Sequence, residues 1–126
     1  MKTNDDLTYT IRGAIFRVHA ELGPGLLESV YEAALLYELK EAGLKAESQL
    51  PFPVIYRSVL LETGFRLDIL VENKVILEIK SVENLLNVHK KQLLTYLKLA
   101  NKTVGFLINF NSNSLIDRKT LIRIVN

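Results

Sequence analysis

Apolar residues recur at helical spacing near the start of the chain, at Ile11, Ala14, Ile15, Val18 and Leu22, with Arg12, Arg17 and Glu21 on the other sides. An amphipathic helix is therefore expected over residues 5–22. Gly23-Pro24-Gly25 ends it, because glycine permits a left-handed C-terminal residue and proline cannot continue the ladder. A second helix is expected over 26–42, with Leu27, Val30, Tyr31, Ala34 and Leu35 toward a core and Gly43 just past its end. The period then changes. Residues 44–56 read as extended, with Pro51 and Pro53 marking an irregular or edge strand, and 59–63 begin another strand that Gly64 interrupts as a bulge would.

Residues 65–80 hold two runs rich in Ile, Leu and Val, separated by Glu72-Asn73-Lys74. That is the pattern of a hairpin with Asn73 at its tip. In this register Asp68 falls opposite Glu78, and Glu78 and Lys80 share a face because side chains alternate along a strand. Further on, 84–101 carries Leu86, Leu93, Tyr96, Leu97 and Ala100 at helical spacing. Residues 103–110 form a strongly apolar strand placed near a sheet edge, 111–117 a polar loop, and 120–125 alternate like a final edge strand.

The order helix, helix, strands, helix, strand, strand predicts an α/β fold in which one mixed sheet is flanked by helices. A doubly wound nucleotide-binding fold fits less well. The glycine-rich turns that cradle phosphates join strand to helix, whereas Gly23-Pro24-Gly25 joins helix to helix.

Asp68, Glu78 and Lys80 carry the candidate chemistry. Two carboxylates about 5 Å apart repel by about 3 kcal/mol at an effective dielectric near 20. A divalent cation reverses that sign, and hard oxygen ligands suit Mg²⁺ or Mn²⁺ better than a soft metal. Lys80 would then stabilise charge on a reacting phosphate. The competing reading makes Asp68 a strand-edge residue, with Glu78 and Lys80 a solvated pair on an exposed face. The apolar neighbours on both sides oppose it, since they are what strands covered on both faces carry.

Composition narrows the class. With 126 residues, of which 48% are hydrophobic and 24% charged, the chain has the make-up of one globular domain spanning 1–126. The absence of cysteine excludes disulfides, thiolate zinc sites and a cysteine nucleophile, and agrees with a reducing, cytoplasmic home. The first residues lead into an amphipathic pattern, and no apolar run reaches membrane-spanning length, so neither secretion nor membrane insertion is expected. A net charge of +2 permits contact with nucleic acid without demanding it, since clustering on one face is what counts.

Asp68 followed by Glu78-Ile79-Lys80 on adjacent strands, after a helix carrying Glu28, resembles the PD-(D/E)XK nuclease superfamily. Within it, Gly25-Leu26-Leu27-Glu28-Ser29-Val30-Tyr31 is similar to the signature of the small bacterial and archaeal GxxExxY proteins. The blocks 89–97 and 105–110 are similar to later parts of that family. Leu67 stands where the superfamily's leading proline is found, while the aspartate after it is retained. The resemblance implies a restriction-endonuclease-like core and a Mg²⁺- or Mn²⁺-dependent hydrolysis of phosphodiester bonds in DNA, or RNA.

By resemblance, Asp68 and Glu78 would bind the metal, with the carbonyl of Ile79 and the carboxylate of Glu28 as further oxygens. Glu28 and Lys80 would join them in catalysis, Lys80 by orienting the attacking water or neutralising charge. Gln92 and Tyr96 look like the Q-x-x-x-Y element that helps hold nucleic acid, and Tyr31, His89 and Lys91 are further candidate substrate contacts. Each has a plain alternative. Glu28 is favoured in a first helical turn by the dipole alone. Tyr96 shares a stripe with Leu93, Leu97 and Ala100, as a core residue would, and Tyr31 reads equally as packing. His89 reads as exposed or capping, and Lys90, Lys91 and Lys98 as a solvated face. Two functions stay open: a metal-dependent nuclease, and a catalytically silent module of the same fold that binds nucleic acid or a protein. A homodimer is also expected, with the 103–110 strand near the edge that would serve it.

Overall fold

The computed structural model describes residues 4–126. Its elements follow the order α1 (Asn4–Leu22), α2 (Glu28–Glu41), β1 (Ala46–Tyr56), β2 (Val59–Val71), β3 (Val75–Lys80), α3 (Asn87–Leu99), β4 (Val104–Asn109) and β5 (Leu121–Val125). The five strands form a single sheet in the order β1-β2-β3-β4-β5. All neighbours are antiparallel except β3 and β4. That parallel pair needs a crossover, and α3 supplies it. The result is the expected mixed sheet between helices, an α/β restriction-endonuclease-like fold.

The sheet is buried on both faces by different helices. Leu7, Ile11, Ile15 and Val18 of α1 and Tyr31, Leu35 and Leu39 of α2 pack with Ile69, Val71, Leu77, Ile79, Phe106 and Ile108. Leu93 and Leu97 of α3 pack on the other face with Leu67, Leu70, Ile76, Leu107 and Ile122. Every residue of β3 except Lys80, and all of β4, is buried. This explains why both strands read as unbroken apolar runs.

Three expectations need correction. The 103–110 strand is interior, paired to β3 on one side and β5 on the other, so it offers no edge to a partner. Leu27 and Val30, assigned to the core, are exposed, because α2 starts at Glu28 and turns Tyr31, Leu35 and Leu39 inward instead. Leu86, counted on the buried stripe of the third helix, precedes that helix and is exposed. The interruption near Gly64 does appear: between Phe52↔Phe65 and Val54↔Leu61 the register shifts, so Pro53 of β1 faces three residues of β2.

Among the described residues no helix is long and apolar enough to cross a membrane. Gly105 sets how closely α3 approaches the sheet. A Cβ there would lie 2.9 Å from the Ile76 carbonyl oxygen and 3.0 Å from Leu93 Cδ1. Overpacking of this kind costs about 1–3 kcal/mol. Gly105→Ala is therefore expected to lower the unfolding free energy by that amount, read as a lower urea midpoint with an unchanged slope, and an unaltered midpoint would show that α3 does not depend on the gap.

Candidate functional site

The ladder between β2 and β3 runs through Val71↔Val75, Leu70↔Ile76 and Ile69↔Leu77, and then stops. At the next position carboxylates take over the work of backbone carbonyls. Asp68 Oδ2 accepts from the Ile79 backbone N–H at 2.8 Å, and Glu78 Oε1 accepts from the Asp68 N–H at 3.3 Å. Side-chain alternation also breaks here: Phe65, Leu67 and Leu70 all pack with the α3-side cluster, while Ile69 and Val71 pack on the opposite face. On β1, Gln49 between the paired Ser48↔Ile69 and Leu50↔Leu67 has a left-handed φ of 50°. The strands thus diverge around Asp68, and the wedge between them holds both acids.

Glu78 is only 4% exposed. Burial, followed by the charge of Asp68 and a side-chain hydrogen bond with it, raises its pKa from 4.5 to about 9, while the Asp68 backbone N–H and then Lys80 pull it the other way. The protonated form of Glu78 is therefore favoured at neutral pH, which is how a desolvated like-charge pair avoids its repulsion. Tyr96 lies close enough on α3 to feel both acids: burial first, then Glu78 and Asp68, raise its phenol. Its ring stacks on Phe65 at 4.5 Å between centroids. Tyr96 is thus core-packed and adjacent to the acids at once, so the two sequence alternatives do not exclude each other.

Glu28 comes in through the corner between the two helices. Gly23 and Gly25 have φ of 65° and 102°, a left-handed region that side chains with a Cβ rarely enter. Tyr31, one turn into α2, closes the corner by donating from its hydroxyl to Gly23 O at 2.6 Å and accepting from the Leu26 N–H at 3.1 Å. Its ring stacks on Phe110 at 4.6 Å. The start of α2 is then fastened to the end of β3: the Ser81 hydroxyl donates to Leu26 O at 2.7 Å, and the Ser81 N–H to Glu28 Oε2 at 3.4 Å. Glu28 therefore sits one residue beyond Lys80.

Residues outside the expected set complete the frame. Glu32 follows Glu28 by four positions on the same helical stripe, a spacing visible in the sequence. Burial raises its pKa, with Asp68 and Glu28 adding to the rise, although its hydrogen bond from Gln49 opposes. Asn109, paired with Lys80 across β3 and β4, is 2% exposed. Its side-chain oxygen accepts from Val82 N–H at 3.1 Å, and its amide donates to Val82 O at 2.9 Å, which fixes the turn after Lys80. Nothing in its local sequence marks this role, because the partner is 27 residues away.

The other candidates scatter. Tyr31, expected among the substrate contacts, is wholly buried with both hydroxyl partners inside the fold, so it positions the corner and cannot touch a ligand. His89 caps α3: its Nδ1 accepts from the Leu86 N–H at 3.0 Å, which takes that nitrogen out of ligand binding. Gln92 and Lys91 are exposed on α3, and Lys80 is half-buried beside Glu78. The donors that converge are carboxylate oxygens, which fit a hard divalent cation. Among the described residues no group of three or more acidic or histidine side chains closes tightly enough to hold an ion alone. Asp68 and Glu78 are thus the protein's two direct side-chain candidates, with Glu28 and Glu32 a helix away.

The sequence model of the PD-(D/E)XK nuclease superfamily matches residues 5–123. Searches of curated proteins and of solved structures found no match.

The state of Glu78 makes a pH prediction for the protein in EDTA. Its folded pKa lies above the unfolded value, so the folded protein binds more protons between the two. Stability contributed by this group is full below about pH 4.5 and is lost as pH rises through about 9, by at most about 1.4 kcal/mol per pH unit. Denaturant titrations across that window should show the decline in wild type and a flatter profile in Glu78→Gln; identical profiles would contradict the burial of a protonated pair.

Proposed function

Because the chain belongs to the PD-(D/E)XK nuclease superfamily, we propose that it is a divalent-metal-dependent nuclease that hydrolyses phosphodiester bonds, with DNA as its first substrate and RNA as the second. The observation that carries this reading is the meeting of Asp68 and buried Glu78 in the wedge between β2 and β3, each carboxylate taking a backbone N–H across it, with Lys80 beside them. A module that kept only the fold would need no such pair, since hydrophobic residues there would be more stable than two acids.

Asp68 and Glu78 would hold Mg²⁺ or Mn²⁺, with the Ile79 carbonyl and Glu28 supplying further oxygens. A cation bound there supplies a water nucleophile at neutral pH and charge stabilisation at the phosphoryl oxygens. The remaining work falls to the chain. Glu78 would have to be ionised to hold the cation, so affinity would depend on pH. Asp68 accepts from the Ile79 N–H at 2.8 Å, which restrains its carboxylate. The Lys80 ammonium orients the attacking water and offsets negative charge as it develops on the phosphate. Tyr96 remains a phenol, a neutral donor close to the acids, and Gln92 one turn earlier lies on its exposed side. Glu28 positions water or completes the ligand set from the helix that Tyr31 anchors. Within the superfamily, the Gly25, Glu28 and Tyr31 spacing supports a reading as a GxxExxY-type protein.

Purified protein with labelled DNA and Mg²⁺ is expected to cut it. Asp68→Ala and Glu78→Ala should reduce cutting to background, and Lys80→Ala should slow it by roughly 10²–10³-fold. Equal cleavage by wild type and variants would mark a contaminant and remove the nuclease reading. Binding is measured separately by calorimetry and melting. Mg²⁺ or Mn²⁺ should raise the melting temperature of wild type but not of Glu78→Gln, and its apparent affinity should increase from pH 6 to pH 8. Absence of heat at every pH would favour a silent binding module.

A further inference from the structure

The positive charge of this protein is concentrated far from its acids in sequence but near them in space. A cleft of about 800 Å³ opens beside the edge strand β5, lined by Arg12, Lys90, Asp117, Arg118 and Arg123 over an apolar floor of Leu121 and Ile122. Four cations against one carboxylate exceed the net +2 of the entire chain, so the rest of the molecule is on balance negative. The one carboxylate is already engaged: Asp117 receives both terminal nitrogens of Arg12, at 2.8 and 3.1 Å. Among the described residues Lys90, Arg118 and Arg123 have no ion-pair partner.

The register relates this cleft to the acids. Glu78 pairs with Leu107 across β3 and β4, and Leu107 pairs with Ile122 across β4 and β5. Glu78 and the floor of the cleft therefore lie in one transverse row of the sheet, two strands apart, which is roughly 10 Å. Ile122 packs with Leu93 and Leu97 in the cluster that Tyr96 also joins, so α3 spans the same row from the acids to Lys90.

We propose that the β5-edge cleft receives the sugar-phosphate backbone of a nucleic acid, with Arg118, Arg123 and Lys90 as its phosphate contacts. The forked guanidinium groups match phosphate oxygens in pairs. An acidic protein segment is the competing partner, and the superfamily match favours nucleic acid over it. That choice rests on the nuclease reading; polyanion binding in the cleft rests on its unpaired cations and does not.

The test separates the two. Anisotropy of fluorescein-labelled DNA is measured in EDTA, where metal-dependent hydrolysis is silent, over a range of salt concentrations. Arg118→Ala/Arg123→Ala should weaken binding roughly tenfold or more and reduce the slope of log affinity against log salt by about 0.7–0.9 per arginine. The charge-keeping Arg118→Lys/Arg123→Lys should retain most of both, which guards against misfolding as the cause. Lys40→Ala/Lys74→Ala, an equal charge loss elsewhere, should change little. Equal weakening by both alanine pairs, an unchanged slope in the arginine pair, or tighter binding of labelled polyglutamate than of DNA would each overturn the cleft, whether or not wild type cuts DNA. Loss of binding in the arginine pair with no cleavage by wild type would sink the nuclease reading and leave the cleft standing.

Discussion

A buried acid held beside a half-buried one is the constraint around which this molecule is built. Left ionised, Asp68 and Glu78 would repel in a wedge that solvent screens only in part, and burial alone disfavours the charge of Glu78. The fold offsets this in two ways. Each carboxylate accepts a backbone N–H that the diverging strands would otherwise leave unpaired, and a proton remains on the pair. Neither arrangement would persist for stability alone, because apolar side chains would fill the same wedge at lower cost.

The scaffold beyond the wedge limits how far these groups can move. β3 is buried between α2 on one side and α3 on the other, so Glu78 cannot swing out to solvent without unpacking a face. The corner before α2 is closed by Tyr31, and the start of α2 is fastened to Ser81. Asn109 fixes the turn that follows Lys80. Three short polar networks thus converge on the same end of the sheet, and those at Ser81 and Asn109 join segments that are far apart in the chain. Such buried networks rigidify a site because every donor in them is satisfied, and among the described residues no buried side-chain polar atom lacks a partner.

Electrostatics extends the same end of the sheet toward its edge. The acids lie in the middle and the unpaired cations beside β5, so a polyanion and a divalent cation would each meet the opposite charge without crossing a repulsive surface. A long-range field of this kind raises encounter rates and orients a charged ligand before contact. The modest net charge conceals it, since opposite charges elsewhere cancel the sum while leaving the local cluster intact.

Local pattern carried much of this into view. The change of period from helix to strand, the Glu72-Asn73-Lys74 turn and the placement of Asp68 opposite Glu78 are all properties of a few neighbouring residues, and backbone geometry obliges them to appear in sequence. Period alone misassigned Leu27, Val30 and Leu86, because an apolar residue at the edge of a stripe is buried only if a partner surface arrives to cover it. It also put β4 at an edge, since a fully apolar strand announces burial but not which strands flank it. The proton held by Glu78, the inward turn of Tyr31, the approach of Glu32, the clamp made by Asn109 and the cleft assembled from positions 12, 90, 118 and 123 were decided by tertiary structure. Each depends on residues separated by many positions, and only packing of helices on both faces of the sheet sets the distances and the dielectric between them.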